Sequence, residues 1–186
     1  MNLGILLERA GRSFPDRPAV VHGDTVWATY GEMAPRVAVL AAAFRDRFGL
    51  APGDRIGLFM TNCPHFVEVF QAALHGGYVA LPINNKLHEK ELAYILSDAD
   101  AALVVVTEDL AEAAAAAVSA TGGKTPIVVV GSKDYAVLLA GDGMAMAERA
   151  PRDLAWLFYT SGTTGNPKGA MLSHRSLWDM VLTYFV

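Results

Sequence analysis

The chain has 186 residues, 53% of them hydrophobic, with 17 glycines, nine prolines, one cysteine and a formal net charge of −4. This composition describes a folded globular protein, and with no segment rich in Lys or Arg it implies neither nucleic acid nor an anionic membrane as a partner. Cys63 alone excludes an internal disulfide, and no apolar stretch reaches bilayer-spanning length. A reducing, cytoplasmic address without an integral membrane segment is the expectation.

The opening MNLGILLERAGRSF is interrupted by Glu8 and Arg9 and reads as an amphipathic helix, not a secretory signal. Residues 19–22 and 25–29 flank Gly23-Asp24 and predict a small hairpin. Thr29 and Glu32 form a T-x-x-E capping box, behind which Met33, Val37, Leu40, Phe44 and Phe48 recur at helical spacing. After the Pro52-Gly53 turn the chain alternates strand and helix. Strands are predicted at 56–60, 78–83, 101–106 and 127–130. Between them Phe66, Val67, Phe70, Ala73 and Leu74 mark one helix, Leu92, Ile95 and Leu96 a second, and Leu110, Ala113, Ala114, Ala117 and Val118 a third. Thr107 is placed to cap this third helix and Gly122 to end it.

The ALVVV and IVVV runs lack polar alternation, as strands covered by helices on both faces would. The expected fold class is therefore α/β, a layered, mostly parallel sheet flanked by helices. Residues 131–151 mix glycine, charge and a short apolar run and read as a connector. The apolar, aromatic run at 154–159 reads as a buried strand. A long glycine loop, a second strand and a helix capped by Ser173, with Leu177, Met180, Val181 and Tyr184 on its apolar face, follow.

The loop, residues 160–169, carries the chemistry. Thr160, Ser161, Thr163 and Thr164 alternate with Gly162 and Gly165, and Lys168 closes the run before Gly169. Glycines let backbone N–H groups approach an oxyanion, hydroxyls add donors, and lysine supplies a compact charge, so the pattern suits a polyphosphate such as that of ATP. It is not a Walker A loop, because Pro167 precedes the lysine, Gly169 follows it, and the next residues have strand character instead of opening a helix. With few apolar anchors, residues 160–167 are expected to be mobile until phosphate oxygens satisfy their N–H groups.

The motif YTSGTTGNPKG, framed by its strand and by Ser173-His174, resembles the phosphate-loop signature of the adenylate-forming enzymes, which include acyl-CoA synthetases, adenylation domains and luciferases. The resemblance implies that residues 1–186 are a partial N-terminal domain of an AMP-binding enzyme. Within it, 1–130 would be the hairpin and α/β unit, 131–151 the connector, and 152–186 the phosphate-loop strands and an interrupted helix, with the C-terminal domain absent. It further implies an ATP-dependent carboxylic acid–CoA ligase that forms acyl-adenylate and pyrophosphate and then acyl-CoA, with ATP, magnesium and coenzyme A as cofactors or co-substrates. Thr160, Ser161, Gly162, Thr163, Thr164, Gly165 and Lys168 would bind the nucleotide, with Lys168 also catalytic. An amino-acid adenylation domain, a luciferase-like enzyme or a non-catalytic truncated protein are the alternatives, and the fragment alone is expected to be inactive. Residues 78–84, YVALPIN, resemble a second family landmark. Asn84, where amino-acid-activating domains usually carry aspartate, leans towards a CoA ligase.

The remaining reactive residues read as structural. Five histidines show no pair at metal-ligand spacing. His174 follows the signature as a family histidine commonly does, yet a place in the first turn of a helix accounts for it equally well. Cys63 lacks an evident base, and Trp27, Trp156 and Trp178 read as core or rim aromatics.

Overall fold

A computed structural model describes residues 1–160 and 166–183. The expectation of loop mobility therefore falls mainly on residues outside the described set, as does Tyr184. The opening amphipathic segment forms α1 (Ile5–Ser13), and the hairpin forms as β1 (Pro18–His22) and β2 (Thr25–Thr29), antiparallel, with Gly23 at φ 60° in its turn. Helix α2 (Tyr30–Phe48) starts at the expected capping box: the Glu32 N–H donates to Thr29 Oγ1 at 3.3 Å and the Thr29 N–H to Glu32 Oε2 at 2.8 Å. It ends at Gly49, whose φ of 71° a residue with a Cβ rarely adopts.

Strand–helix alternation follows as β3 (Arg55–Phe59), α3 (Pro64–His75), β4 (Val79–Ile83), α4 (Glu89–Asp98), β5 (Ala101–Val106), α5 (Ala111–Ala120) and β6 (Ile127–Val129). The last elements are α6 (Lys133–Leu138), β7 (Leu154–Thr160), β8 (Lys168–Ser173) and α7 (His174–Thr183). One six-stranded sheet runs in the order β6-β5-β3-β4-β7-β8, with every neighbouring pair parallel except β7 and β8. The expected layered, mostly parallel sheet is thus observed.

Strand residues alternate between two cores. Ile56, Leu58, Leu103 and Val105 join Leu40 and Phe44 of α2 and Val69 of α3 on one face. Val79, Leu81, Val104 and Val106 join Leu92 and Ile95 of α4 and Ala114 of α5 on the other. Each fully buried leucine or valine removes apolar area worth roughly 1.5–3 kcal/mol, which is why these runs tolerate no polar alternation.

Two expectations change. Thr107 precedes a 3-10 turn (Glu108–Leu110) and makes no side-chain cap; its Oγ1 accepts the Thr61 N–H at 3.2 Å, a cross-strand bond at the carboxyl edge of the sheet. The segment at 131–151 is more than a connector, because Ser132 caps α6, whose Tyr135 and Leu138 are buried in the first core.

Candidate functional site

Strand β7 leaves the sheet at its carboxyl edge, since it runs parallel to β4. In open α/β sheets that edge is where ligands bind. The register of the β7–β8 hairpin sets Thr160 opposite Lys168 and Tyr159 opposite Gly169, so the two ends of the glycine loop meet at one base. Ser161, Gly162, Thr163, Thr164 and Gly165 lie outside the described residues. Thr160 and Lys168 are both exposed there.

Beside the base opens a cavity of about 290 Å³. Pro82, Ile83 and Asn84 at the end of β4, Leu87, Glu91 and Ile95 of the α4 region, and Phe158, Tyr159, Thr160 and Pro167 of the hairpin line it. The lining is mostly apolar, with Asn84, Glu91, Tyr159 and Thr160 as its polar side chains. Asn84 directly follows β4, and its side chain accepts the Lys86 N–H at 3.0 Å. Glu91 is engaged in capping α4, accepting the His88 N–H at 3.0 Å. No group of three or more His, Cys, Asp or Glu suited to a metal occurs among the described residues.

One contact at the base escapes sequence reading. The Tyr159 hydroxyl donates to Asp98 Oδ2 at the C-terminal end of α4. Burial, then this hydrogen bond to an anion, push the Tyr159 hydroxyl well above its ordinary pKa, so it stays a donor. The only sequence signal is an aromatic residue placed across from a strand glycine.

His174 is the first residue of α7 and is wholly buried. Its Nδ1 accepts the Leu3 N–H at 3.2 Å, tying the N-terminal segment to the start of α7. Burial, helped by the nearby Arg149 charge, lowers its pKa from 6.5 to about 4. It is a neutral structural group, the plainer of its two sequence readings. Cys63 is half-buried in the N-cap position of α3.

A second network centres on Glu68, buried on α3. Arg36 Nε donates to its Oε1 at 2.7 Å, while Tyr135 OH donates to Oε2 at 2.6 Å and His65 Nδ1 lies 3.1 Å from the same oxygen. Burial pushes the Glu68 carboxyl up, but the hydrogen bonds from His65, Tyr135 and Arg36 outweigh it and hold the pKa below the usual range. A glutamate inside the apolar run FVEVF is the sequence signal for such a buried acid.

The sequence and the fold are both similar to those of known proteins. The chain is 37% identical over 180 residues to a feruloyl-CoA synthase of Amycolatopsis, covering 96% of this chain and 35% of that protein. It is 32% identical to tyrocidine synthase 3 of Brevibacillus parabrevis, over 95% of this chain and 2% of the relative. An inhibitor-bound N-terminal domain of FACL13 from Mycobacterium tuberculosis superposes with a TM-score of 0.78 at 30% identity, over 93% of this chain and 44% of that one. The chain thus spans about a third of the length of the feruloyl-CoA synthase it matches. No helix among the described residues is long and apolar enough to cross a membrane. Residues 7–186 match the family model for AMP-binding enzymes, and the chain belongs to that family.

Proposed function

We propose that this chain is the phosphate-binding part of an AMP-forming carboxylic acid–CoA ligase. The observation that carries the reading is the hairpin base: Thr160 and Lys168 face each other at the carboxyl edge of the sheet, and the residues between them are hydroxyls and glycines. Thr160, Ser161, Gly162, Thr163, Thr164, Gly165 and Lys168 would hold the β- and γ-phosphates of ATP. The substrate carboxylate oxygen attacks the α-phosphorus, the bond to the bridging oxygen breaks, and pyrophosphate departs with the electron pair. Lys168 offsets the charge that grows on this leaving group and keeps it in line with the attacking oxygen. The thiol of coenzyme A then displaces AMP from the acyl-adenylate. Magnesium would enter as the counter-ion of the nucleotide and would help neutralise the phosphate charge.

The similarity to feruloyl-CoA synthase and the asparagine at position 84 support a CoA ligase over an amino-acid-activating domain. Residues 1–186 would be the N-terminal portion of the large domain, with adenine, acid and thiol contacts supplied by further sequence. In the complete ligase Lys168→Ala should raise the adenylation barrier by about 2–4 kcal/mol, the loss typical of one preorganised oxyanion contact. Carboxylic acid-dependent exchange of pyrophosphate into ATP measures it. An unchanged exchange rate at saturating ATP rejects the role of Lys168.

A further inference from the structure

We propose that Tyr159 is a positioning residue for the phosphate loop, holding the hairpin base against α4 through Asp98. The inference rests on the phosphate-site reading above and adds to it a residue outside the loop. Lys168 has a long, exposed side chain on an edge strand, and its placement depends on the pair beneath it, Tyr159 and Gly169. The Tyr159 ring occupies the space that a Cβ at position 169 would need: such an atom would lie 3.2 Å from Tyr159 Cζ and 3.0 Å from Leu157 Cδ1. An aromatic ring laid across a facing glycine fixes the register of two strands at a point where glycine alone would leave it loose. The far end of the ring is then held by the hydroxyl bond to Asp98, 61 residues earlier in the chain. Ring and hydroxyl together join the loop base to α4, whose Leu92, Ile95 and Leu96 are buried in the second core. A base held in this way presents Thr160 and Lys168 with less ordering left to do when a polyphosphate arrives.

Inorganic tripolyphosphate is the probe, titrated calorimetrically into the 186-residue chain at a temperature where circular dichroism shows every variant folded. Tyr159→Phe keeps the ring and removes only the hydroxyl, and should weaken binding roughly 3- to 10-fold, the range of one net hydrogen bond. Asp98→Asn and Asp98→Ala both remove the charge, but only Asn retains an acceptor. Asn should therefore bind several-fold more tightly than Ala, and Tyr159→Phe combined with Asp98→Ala should bind no worse than the weaker single variant. Lys168→Ala serves as the control for the site itself. If wild type and Lys168→Ala bind alike, or wild type does not bind, the phosphate-site reading fails and takes this proposal with it. If binding needs Lys168 but is unmoved by Tyr159→Phe, the site stands and the positioning role is overturned. A lowered melting temperature with unchanged affinity overturns that role equally, because a purely structural tether acts on stability alone.

Discussion

His174 shows how burial decides between two readings of one residue. Its Nδ1 accepts a backbone N–H and so is unprotonated, and its ring is buried with a pKa near 4 in place of 6.5. Because the folded-state pKa is depressed, the unfolded chain takes up the proton first as pH falls. The stabilisation is complete above pH 6.5 and is lost progressively down to about pH 4. Between pH 7 and pH 5 the loss should be about 2 kcal/mol, at one pKa unit to 1.36 kcal/mol. His174→Asn, which keeps an acceptor for the Leu3 N–H and cannot titrate, should be less stable at pH 7 yet have a flatter pH dependence over this window. Urea midpoints at pH 7, 6 and 5 check the slope. Equal slopes in both proteins would mean that another group governs this range. The same burial that makes His174 a clasp removes it from the cavity lining, whereas Lys168, with an exposed side chain, has the access that phosphate chemistry needs.

Elements set by local signals agree with their sequence readings, and those held by distant contacts do not announce themselves. The Thr29–Glu32 capping box and the continuous apolar run of β5 are legible because each is complete within a few residues. Helix α6 is not, because SKDYAVL is too short to show a period and is held by burial of Tyr135 and Leu138 against α2 and α3. Thr107 misleads for a related reason: its hydroxyl has a partner in Thr61, 46 residues away, that competes with the local cap. In the site, the composition of residues 160–169 spells out a polyphosphate loop, while the Tyr159–Asp98 bond depends on α4 and β7 meeting in space. Glu68 ties three helices together through Arg36 of α2 and Tyr135 of α6. Glu68→Gln should leave Arg36 without its anion and replace one acceptor by a donor facing Tyr135 and His65, costing about 1–3 kcal/mol. Chemical denaturation of wild type and variant checks this. A loss below about 0.5 kcal/mol, the level of an ordinary surface change, would show that the network is dispensable.

At the scale of the molecule, attachment to the sheet is uneven. Strands β3, β4 and β5 pair over full registers and are covered on both faces, whereas among the described residues β4 and β7 are registered through the one pair Ala80–Trp156. Strand β7 gives Leu157 to the second core, with Leu154 and Tyr159 packed against it, while β8 and α7 rest mainly on a small cluster formed by Leu74, Ala155 and Leu177 with Leu3, Phe70, Trp156 and Leu172 around it. Strand β8 is the sheet edge among the described residues, and its Met171 is 70% exposed. Local opening free energy follows buried apolar contact and shared hydrogen bonds, so the phosphate hairpin sits on the part of the fold that opens most readily. Hydrogen exchange should therefore rank the amides, with β3 and β5 protected to the level of global unfolding, β7 intermediate, and β8 and α7 exchanging fastest. Tripolyphosphate bound across Thr160 and Lys168 should slow exchange in β7 and β8 while leaving β3 and β5 unchanged, since a ligand raises the opening energy only of segments that must move to release it. Uniform protection across the sheet would refute the uneven attachment. Slowing confined to β3 and β5 would mean that the anion binds somewhere other than the hairpin base.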